Sequence, residues 1–533
     1  MALAPRPLPL FVVTVAGQDL SARLVSARVR LVLSQPGLVD LALDLAADGP
    51  ATGPASGMAT GGATGGASGG ASGGATGGAS GIASGMAPGD PVSLAVGMPP
   101  VPLFAGTLTA ITRELVAGRA PVLRLRGHDA LHALRQRSEA EMYEAMTLAE
   151  IAGRIAARHG LTLDARSEGP RWPQVLQARQ SDLALLQGLC AATGHAFRLQ
   201  GSALLLLALD AAAPGETAVA IGQTVLDMAV EQNGFAPQGA VTVESWDPAL
   251  AQAGIEFHGD GAPVAALRGL AQPDGSAAFA ARALAADRAA RTWVVDGRVL
   301  GMPAALPGDG LALAGSGLPP GLRPLLTEVV HSVDPADGFV TALSTRPQPV
   351  PPPRRGAEAT LGIVQSVADP QGLGRVQVQL PAYGGLVAYW AAVALPGLGQ
   401  AAGLMALPQP GDRVLVLLVG GDLAQGVVIG GLIGPDPPQD TGVTGDRVER
   451  YHLRLPGGQH LVLDDGDGSA RLTQRDGTRL DLTPQGVDLQ AANGSRLTLR
   501  DDGALLHSAT DLRIAAPGRA LRILADHVDF ERG

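Results

Sequence analysis

The carboxy-terminal eighty residues place the tightest limit on how this chain can fold. From Tyr451 to Phe530 the sequence reads as one short strand after another, with almost no helix signal. Three stretches share the pattern Gly-x-x-Leu-x-Leu: Gly458 to Leu463, Gly477 to Leu482 and Gly494 to Leu499, spaced 19 and 17 residues apart. Further alternating pieces follow at Val487 to Leu489, Leu512 to Ile514, Leu521 to Ile523 and Val528 to Phe530. A period of two puts Leu, Ile and Val on one face and Arg, Asp, Thr and Gln on the other. Asp476-Gly477, Asn493-Gly494 and Asp502-Gly503 are turn signals between strands. A row of short strands with one apolar face buries too little and leaves open edges when alone. The economical solution is several copies wound about one axis with their apolar faces inward, and a homotrimeric β-helical needle is expected. A single-chain β-sandwich is the competing reading. It sits poorly with the short strands, the scarcity of aromatics and the repeated Gly-x-x-Leu-x-Leu phase.

Composition closes off several functions. The chain of 533 residues has room for three or four domains. Its net charge of −10 and pI near 5.5 disfavour nucleic acid as a partner. Aromatic residues make up 3%, too few for a base-stacking surface. There is no lysine, and the single cysteine, Cys190, excludes an intramolecular disulfide framework. The start, Met-Ala-Leu-Ala-Pro-Arg-Pro, lacks the features of a signal peptide, and no window is apolar enough to span a membrane. Synthesis in the cytoplasm without a signal peptide is expected, with any exit from the cell as part of something larger.

Residues 10 to 46 alternate apolar and polar and read as strands, with a hairpin turn at Gly17-Gln-Asp19. Residues 48–89 are Ala/Ser/Thr/Gly repeats with little to bury, expected to be a flexible loop interrupting a β domain. Strands resume at Gly89 to Leu94, Leu103 to Leu108 and Val122 to Arg126. Thr147-Leu-Ala-Glu150 is a capping box, with Leu148, Ile151, Ala152 and Ile155 as the apolar stripe of its helix and Gly160 as its stop. A second helix starts at Ser181 and ends at Gly194; Cys190 on its apolar face reads as a packed core thiol. His159 and His195 lie near helix carboxy-termini, where an imidazolium is favoured. Strands return at Phe197 to Leu199, Ala203 to Leu209 and Ala240 to Glu244, and a third helix is expected over 276–292. Domain limits follow from composition: 1–345 amino-terminal β domain, 346–358 proline-rich linker, 359–434 small β-barrel of the OB type, 435–450 linker, 451–533 needle.

No catalytic, cofactor-binding or metal-ligating residue emerges. His128-Asp129 precedes a helix and Asp129 reads as its cap. His258 and Asp260 lie in a Gly-rich turn without a nucleophile partner. Asp464, Asp465 and Asp467 lack EF-hand spacing and its terminal Glu, so they read as a solvated turn, as does Asp501-Asp502-Gly503.

Three blocks then carry a family likeness. The first runs from Gly89-Asp-Pro-Val-Ser-Leu94 through Leu123-Arg-Leu-Arg-Gly-His-Asp-Ala-Leu131, with Thr147 to Ala152 and His159-Gly160-Leu161. The second is Thr327 to Pro335 with Asp337 to Thr341. The third and most specific comprises Gly362-Ile-Val364, Asp369-Pro-Gln-Gly-Leu-Gly-Arg-Val-Gln-Val378, Tyr389-Trp390, Leu407 to Val416 and Gly426 to Leu432. In this order the chain resembles the VgrG and phage central-spike family, the hub and needle of contractile injection systems.

The resemblance implies a mainly β chain: two hub β-barrels with helical insertions, an OB-fold barrel and an intertwined trimeric β-helix. It implies a homotrimer whose six similar hub units dock a hexameric inner tube protein within a baseplate. A PAAR-like tip protein and effector cargo would accompany it, and the target membrane would be punctured mechanically. The particle could be a Type VI secretion spike, a phage tail or an extracellular phage-like device. Pro435 to Arg450 is too short for the lysozyme domain that some spikes insert there. His527-Val-Asp529 departs from the His-x-His of metal-tipped spikes, and no effector domain is expected after the last strand. A structural, non-enzymatic role is expected; the alternative is a cell-wall-degrading or glycan-binding spike, which needs paired carboxylates in a cleft or an aromatic sugar platform.

Overall fold

A computed structural model describes residues 10–45, 85–117, 120–234, 239–247, 252–271, 276–315, 319, 321–348, 356–385, 388–397, 403–421, 423, 425–434 and 440–532. The chain is mainly β and divides into two units, Met1–Leu432 and Ile433–Gly533. Most of the Ala/Gly-rich repeat, at 46–84, and the centre of the proline-rich linker, at 349–355, lie outside the described residues.

The first unit is built on one eleven-stranded sheet. Its strands alternate as their sequences dictate: Phe11, Val13 and Val15 point inward from Phe11–Val15, and Leu123 and Leu125 from Val122–His128. Their outward neighbours pair across the surface, Arg124 with Glu114 and Arg126 with Asp40 at 2.9 Å. Two separate cores form along the sheet. One gathers Val13, Val29, Leu41, Leu94, Leu108, Leu123 and Leu125; the other gathers Val295, Val299, Leu311, Leu326, Val329 and Leu343. The two expected barrel parts thus share one continuous sheet, joined where Leu24–Val32 pairs antiparallel with Glu328–Asp334. That seam brings residues from opposite ends of the first unit's sequence together and carries the Arg30–Glu328 ion pair at 2.6 Å.

A helical insertion packs its own core. Helix α1, Leu148–Arg158, begins with the expected capping box: Glu150 N–H donates to Thr147 Oγ1, and Thr147 N–H donates to Glu150 Oε2. Helix α2, Asp182–Thr193, is capped by Ser181 and stops at Gly194, whose φ of +70° suits a residue without a Cβ. Leu148, Ile151, Ile155, Leu186, Cys190 and Phe197 are buried together. Helix α3, Ser276–Ala290, lies against the strand Ala240–Asp247 through Ala277, Ala280 and Ala281 around Val243.

Five strands close the OB barrel: Ala357–Ser366, Val376–Gln379, Ala388–Val393, Arg413–Val419 and Gly426–Gly431. Val364, Val376, Val378, Tyr389, Val414, Val416, Leu418 and Val428 fill it. Gly426 is required by that packing, because a Cβ there would fall 1.9 Å from the Tyr389 hydroxyl. The first strand begins at Ala357, inside the segment read as linker.

In the second unit, seven strands run as an antiparallel meander in sequence order: Arg450–Arg454, His460–Asp464, Ser469–Thr473, Arg479–Thr483, Gly486–Gln490, Arg496–Arg500 and Gly503–His507. Each strand bonds to its neighbours in the same chain from 450 to 507. The segment read as linker holds a small hairpin, Val443–Thr444 with Arg447–Val448, and 435–439 lies outside the described residues. The strands expected at 512–514, 521–523 and 528–530 do not form; residues 508–532 carry no strand and are almost wholly exposed. An alternating segment with no adjacent edge to bond has nothing to hold it extended.

Candidate functional site: the apolar face of the carboxy-terminal sheet

The register of the meander gathers one uniformly apolar face. One column reads Tyr451, Leu463, Ala470, Leu482, Val487, Leu499, Ala504; the next reads Leu453, Leu461, Leu472, Leu480, Leu489, Leu497, Leu506. All fourteen positions on this face are apolar. Leu453, Leu463, Leu472, Leu482, Leu489, Leu499 and Leu506 remain 40–55% exposed. Half-burying a leucine leaves about 1 kcal/mol of transfer free energy unused, so this face holds back several kcal/mol per chain. A contiguous patch of this kind marks an interaction surface.

The opposite face is polar and internally paired. Arg471 donates to Asp481 at 2.6 Å, Arg479 reaches Asp481 at 3.1 Å, and Asp488 accepts from Thr498 at 2.7 Å and from Arg500. At its start, Arg450 donates to Asp440 at 2.9 Å, and that contact first, with the Gly442 N–H next, holds the Asp440 carboxyl down at about 2. His452 Nδ1 and His460 Nε2 share a hydrogen bond of 3.0 Å. The two faces therefore have different destinations: one satisfied in water, one awaiting apolar cover.

The residues weighed as chemistry fall elsewhere. Asp129 caps the turn Ala130–Arg135 through the Leu131 N–H and also accepts from Gly37 N–H; burial pushes its carboxyl up to about 6. His128 and His132 stack with centroids 4.3 Å apart. His159 Nε2 donates to Asp182 at 2.9 Å, joining a buried cluster with Arg158, Arg137 and Gln177. His195 corrects the expectation of an imidazolium at a helix carboxy-terminus. It is buried, burial lowers its pKa first of all, and its ring contacts Thr193 O at 2.9 Å and Ser167 Oγ at 3.0 Å. The adjoining cavity of about 40 Å³ has no room for a substrate. Cys190 is a buried thiol, and burial raises its pKa. His258 and Asp260 are exposed at a strand end. Asp464 and Asp467 accept from Gly466 and Ser469 N–H groups, as turn residues do, and Asp501 and Asp502 form the tip between two strands. His527 and Asp529 lie in the strandless end. Among the described residues, no group of three or more His, Cys, Asp or Glu is placed to hold a metal ion. No described helix is long and apolar enough to cross a membrane.

Within the OB barrel, the motif Asp369 to Arg375 proves to be a pinned loop. Arg375 grips the Asp369 carboxylate through Nε at 3.1 Å and Nη2 at 2.8 Å; Gln371, Leu373 and Arg375 N–H groups donate to the same carboxylate. The Arg375 contact, then these amides, hold the carboxyl well below the usual range. Residues 360–432 match the family model of the Type VI secretion system/phage-baseplate injector OB domain. This barrel matches the injector OB domain family.

Solved structures extend the likeness beyond the injector OB domain. An Escherichia coli type VI secretion component, described as structurally similar to T4 bacteriophage tail proteins, superposes with a TM-score of 0.51 at 14% identity, over 79% of this chain and 99% of its own. The prophage MuSo2 43 kDa tail protein of Shewanella oneidensis gives a TM-score of 0.43 at 12% identity, over 63% of this chain and 96% of its own. A chain of the Francisella PdpA–VgrG complex gives 0.48 at 9% identity, over 93% of this chain and 87% of its own. No curated protein matches in sequence. The chain shares its fold with that type VI secretion component, and its barrel matches the injector OB domain.

Proposed function

We propose that the protein is the structural spike of a contractile injection system, acting mechanically as a homotrimer that joins a hexameric inner tube to a puncturing needle. The observation that carries this is the fourteen-residue apolar face on a single-layer sheet.

Geometry supports three copies. Strands of five residues make a sheet about 17 Å wide at about 3.4 Å per residue. Three such sheets around an axis would each stand about 5 Å from it, so opposing faces meet near the 10 Å at which sheets pack. Four would leave a hollow wider than two leucines can fill, and two would leave the sandwich open along both sides. A trimer turns every apolar column inward and leaves the paired Arg and Asp side chains in water.

The remainder of this reading follows the family likeness. The hub would meet the tube and baseplate, the needle would bear a PAAR-like tip, and effector cargo would travel with the particle into or through the target envelope. The test is the mass of the purified full-length chain by sedimentation equilibrium. Three copies of the 53.8 kDa chain are expected; a stable monomer at micromolar concentration would overturn the proposal.

A further inference from the structure

A second feature lies on the OB barrel and has no role in the apolar needle face. The strand Ala357–Ser366 is longer than the ladder that covers it on one side. It pairs with Arg413–Val419 over residues 357–363, but with Val376–Gln379 only at Ile363, Val364 and Ser366. The cause is local. After Leu380 the chain turns away at Pro381–Tyr383, where Pro381 supplies no N–H to continue pairing.

Hydrogen-bond phase then fixes which groups are left over. Val364 N–H donates to Asp412 O, and Gly420 N–H donates to Gly356 O, so even-numbered residues face the strand Arg413–Val419. Ala359 and Leu361 point their N–H and C=O groups the other way, with no strand partner among the described residues. An unpaired strand edge is a template for another strand.

This edge opens into a cleft of about 440 Å³. Its floor includes Leu361 and Leu432, which are exposed, and its rim carries Arg179 and Arg413. Arg179 stacks over the Tyr383 ring at 4.4 Å and donates to Ala382 O at 3.0 Å, and it forms no ion pair among the described residues. Arg413 forms no ion pair among the described residues. The cleft's carboxylate, Glu358, already accepts from the Tyr383 hydroxyl at 2.5 Å. On a chain of net charge −10, this is a local excess of positive charge beside free backbone donors and acceptors.

We propose that this cleft binds an extended, carboxylate-bearing polypeptide segment as an added β-strand, antiparallel or parallel to Ala357–Ser366, with Arg179 and Arg413 taking its acidic side chains. The partner's backbone bonds to Ala359 and Leu361, and its apolar side chains cover Leu361 and Leu432. The site requires neither a metal nor a movement of the barrel core.

The test uses full-length protein and a fluorescent octapeptide alternating Val with Glu, followed by anisotropy. Two N-methylated versions carry the methyl groups on one or the other alternate set of residues. Strand addition predicts saturable binding that one methylated set weakens at least about tenfold while the other leaves it nearly unchanged. Replacing Glu by Lys in the peptide, or Arg413→Glu in the protein, weakens it by a similar factor. The N-methyl comparison needs no protein variant, so it stands even if Arg413→Glu fails to fold. Absence of saturable binding up to about 1 mM, equal loss with both methylated sets, or equal binding of the Lys peptide would each overturn the proposal.

Discussion

Leu489 and Leu505 offer a matched pair that separates an isolated sheet from an assembled one. They are equally exposed in the single chain, 46% and 48%. Leu489 sits in the apolar column between Leu480 and Leu497, whereas Leu505 lies opposite Thr498 on the polar face. If the sheet worked alone, Leu489→Asp and Leu505→Asp would cost the same, each within about 1 kcal/mol. In a trimer the first change places three carboxylates around one axis, out of water. Each loses about 1 kcal/mol of leucine burial and adds several kcal/mol of charge desolvation, on the order of 10 kcal/mol for the assembly. The second leaves three carboxylates in solvent and costs almost nothing. Sedimentation velocity of both variants reads the outcome directly: Leu489→Asp runs as a smaller species or aggregates, Leu505→Asp as the wild type. Equal behaviour of the two variants would refute the assignment of the apolar face to the trimer axis.

Three further expectations concern the first unit. Asp182 is fully buried among Gln177, His159, Arg158 and Arg137, and although burial alone would raise its pKa, those four partners outweigh it and the net shift is downward. Asp182→Ala removes the partner of Gln177 and His159, while Arg137 and Arg158 keep Glu141, and should cost about 1–3 kcal/mol, read from urea unfolding. His331 is held neutral, its pKa lowered by burial to about 4. The unfolded chain binds that proton below about 6.5, so stability present above pH 6.5 is lost as pH falls toward 4, on the order of 3 kcal/mol. His331→Gln should remove that loss when the two proteins are compared by urea unfolding across this range. Asp369→Ala frees Arg375 and three amides, and the loop 369–375 should become the first site of limited proteolysis in the OB domain, at a stability cost of about 1–3 kcal/mol.

Legibility followed the range of the interactions. The capping box at Thr147, the stop at Gly194 and the strands of the barrel were readable because each depends on residues within a few positions. The Gly-x-x-Leu-x-Leu phase likewise marked the apolar face, since alternation and short turns are local facts. Partner choice was not local. Nothing near Leu24–Val32 announces that it pairs with Glu328–Asp334, and nothing near Leu461 says that its neighbours belong to its own chain. His195 was misplaced because its burial depends on residues as distant as Phe279. Leu512, Ile523 and Phe530 alternate as well as any strand, but extended backbone needs an edge to bond, which a single chain does not supply there. The cleft beside Ala359 and Leu361 escaped notice because it arises from Pro381 ending a ladder and from Arg179, remote in sequence, reaching Tyr383.

The strictly sequential meander has an evolutionary corollary. Because each strand bonds only to those before and after it, one whole hairpin can be added or removed without changing which way any remaining leucine points. Each such step alters the sheet by about 9.6 Å, two strand spacings. The segment from Arg450 to His507 is thus a ruler with a fixed graduation, whose reach can be retuned while its cross-section stays the same.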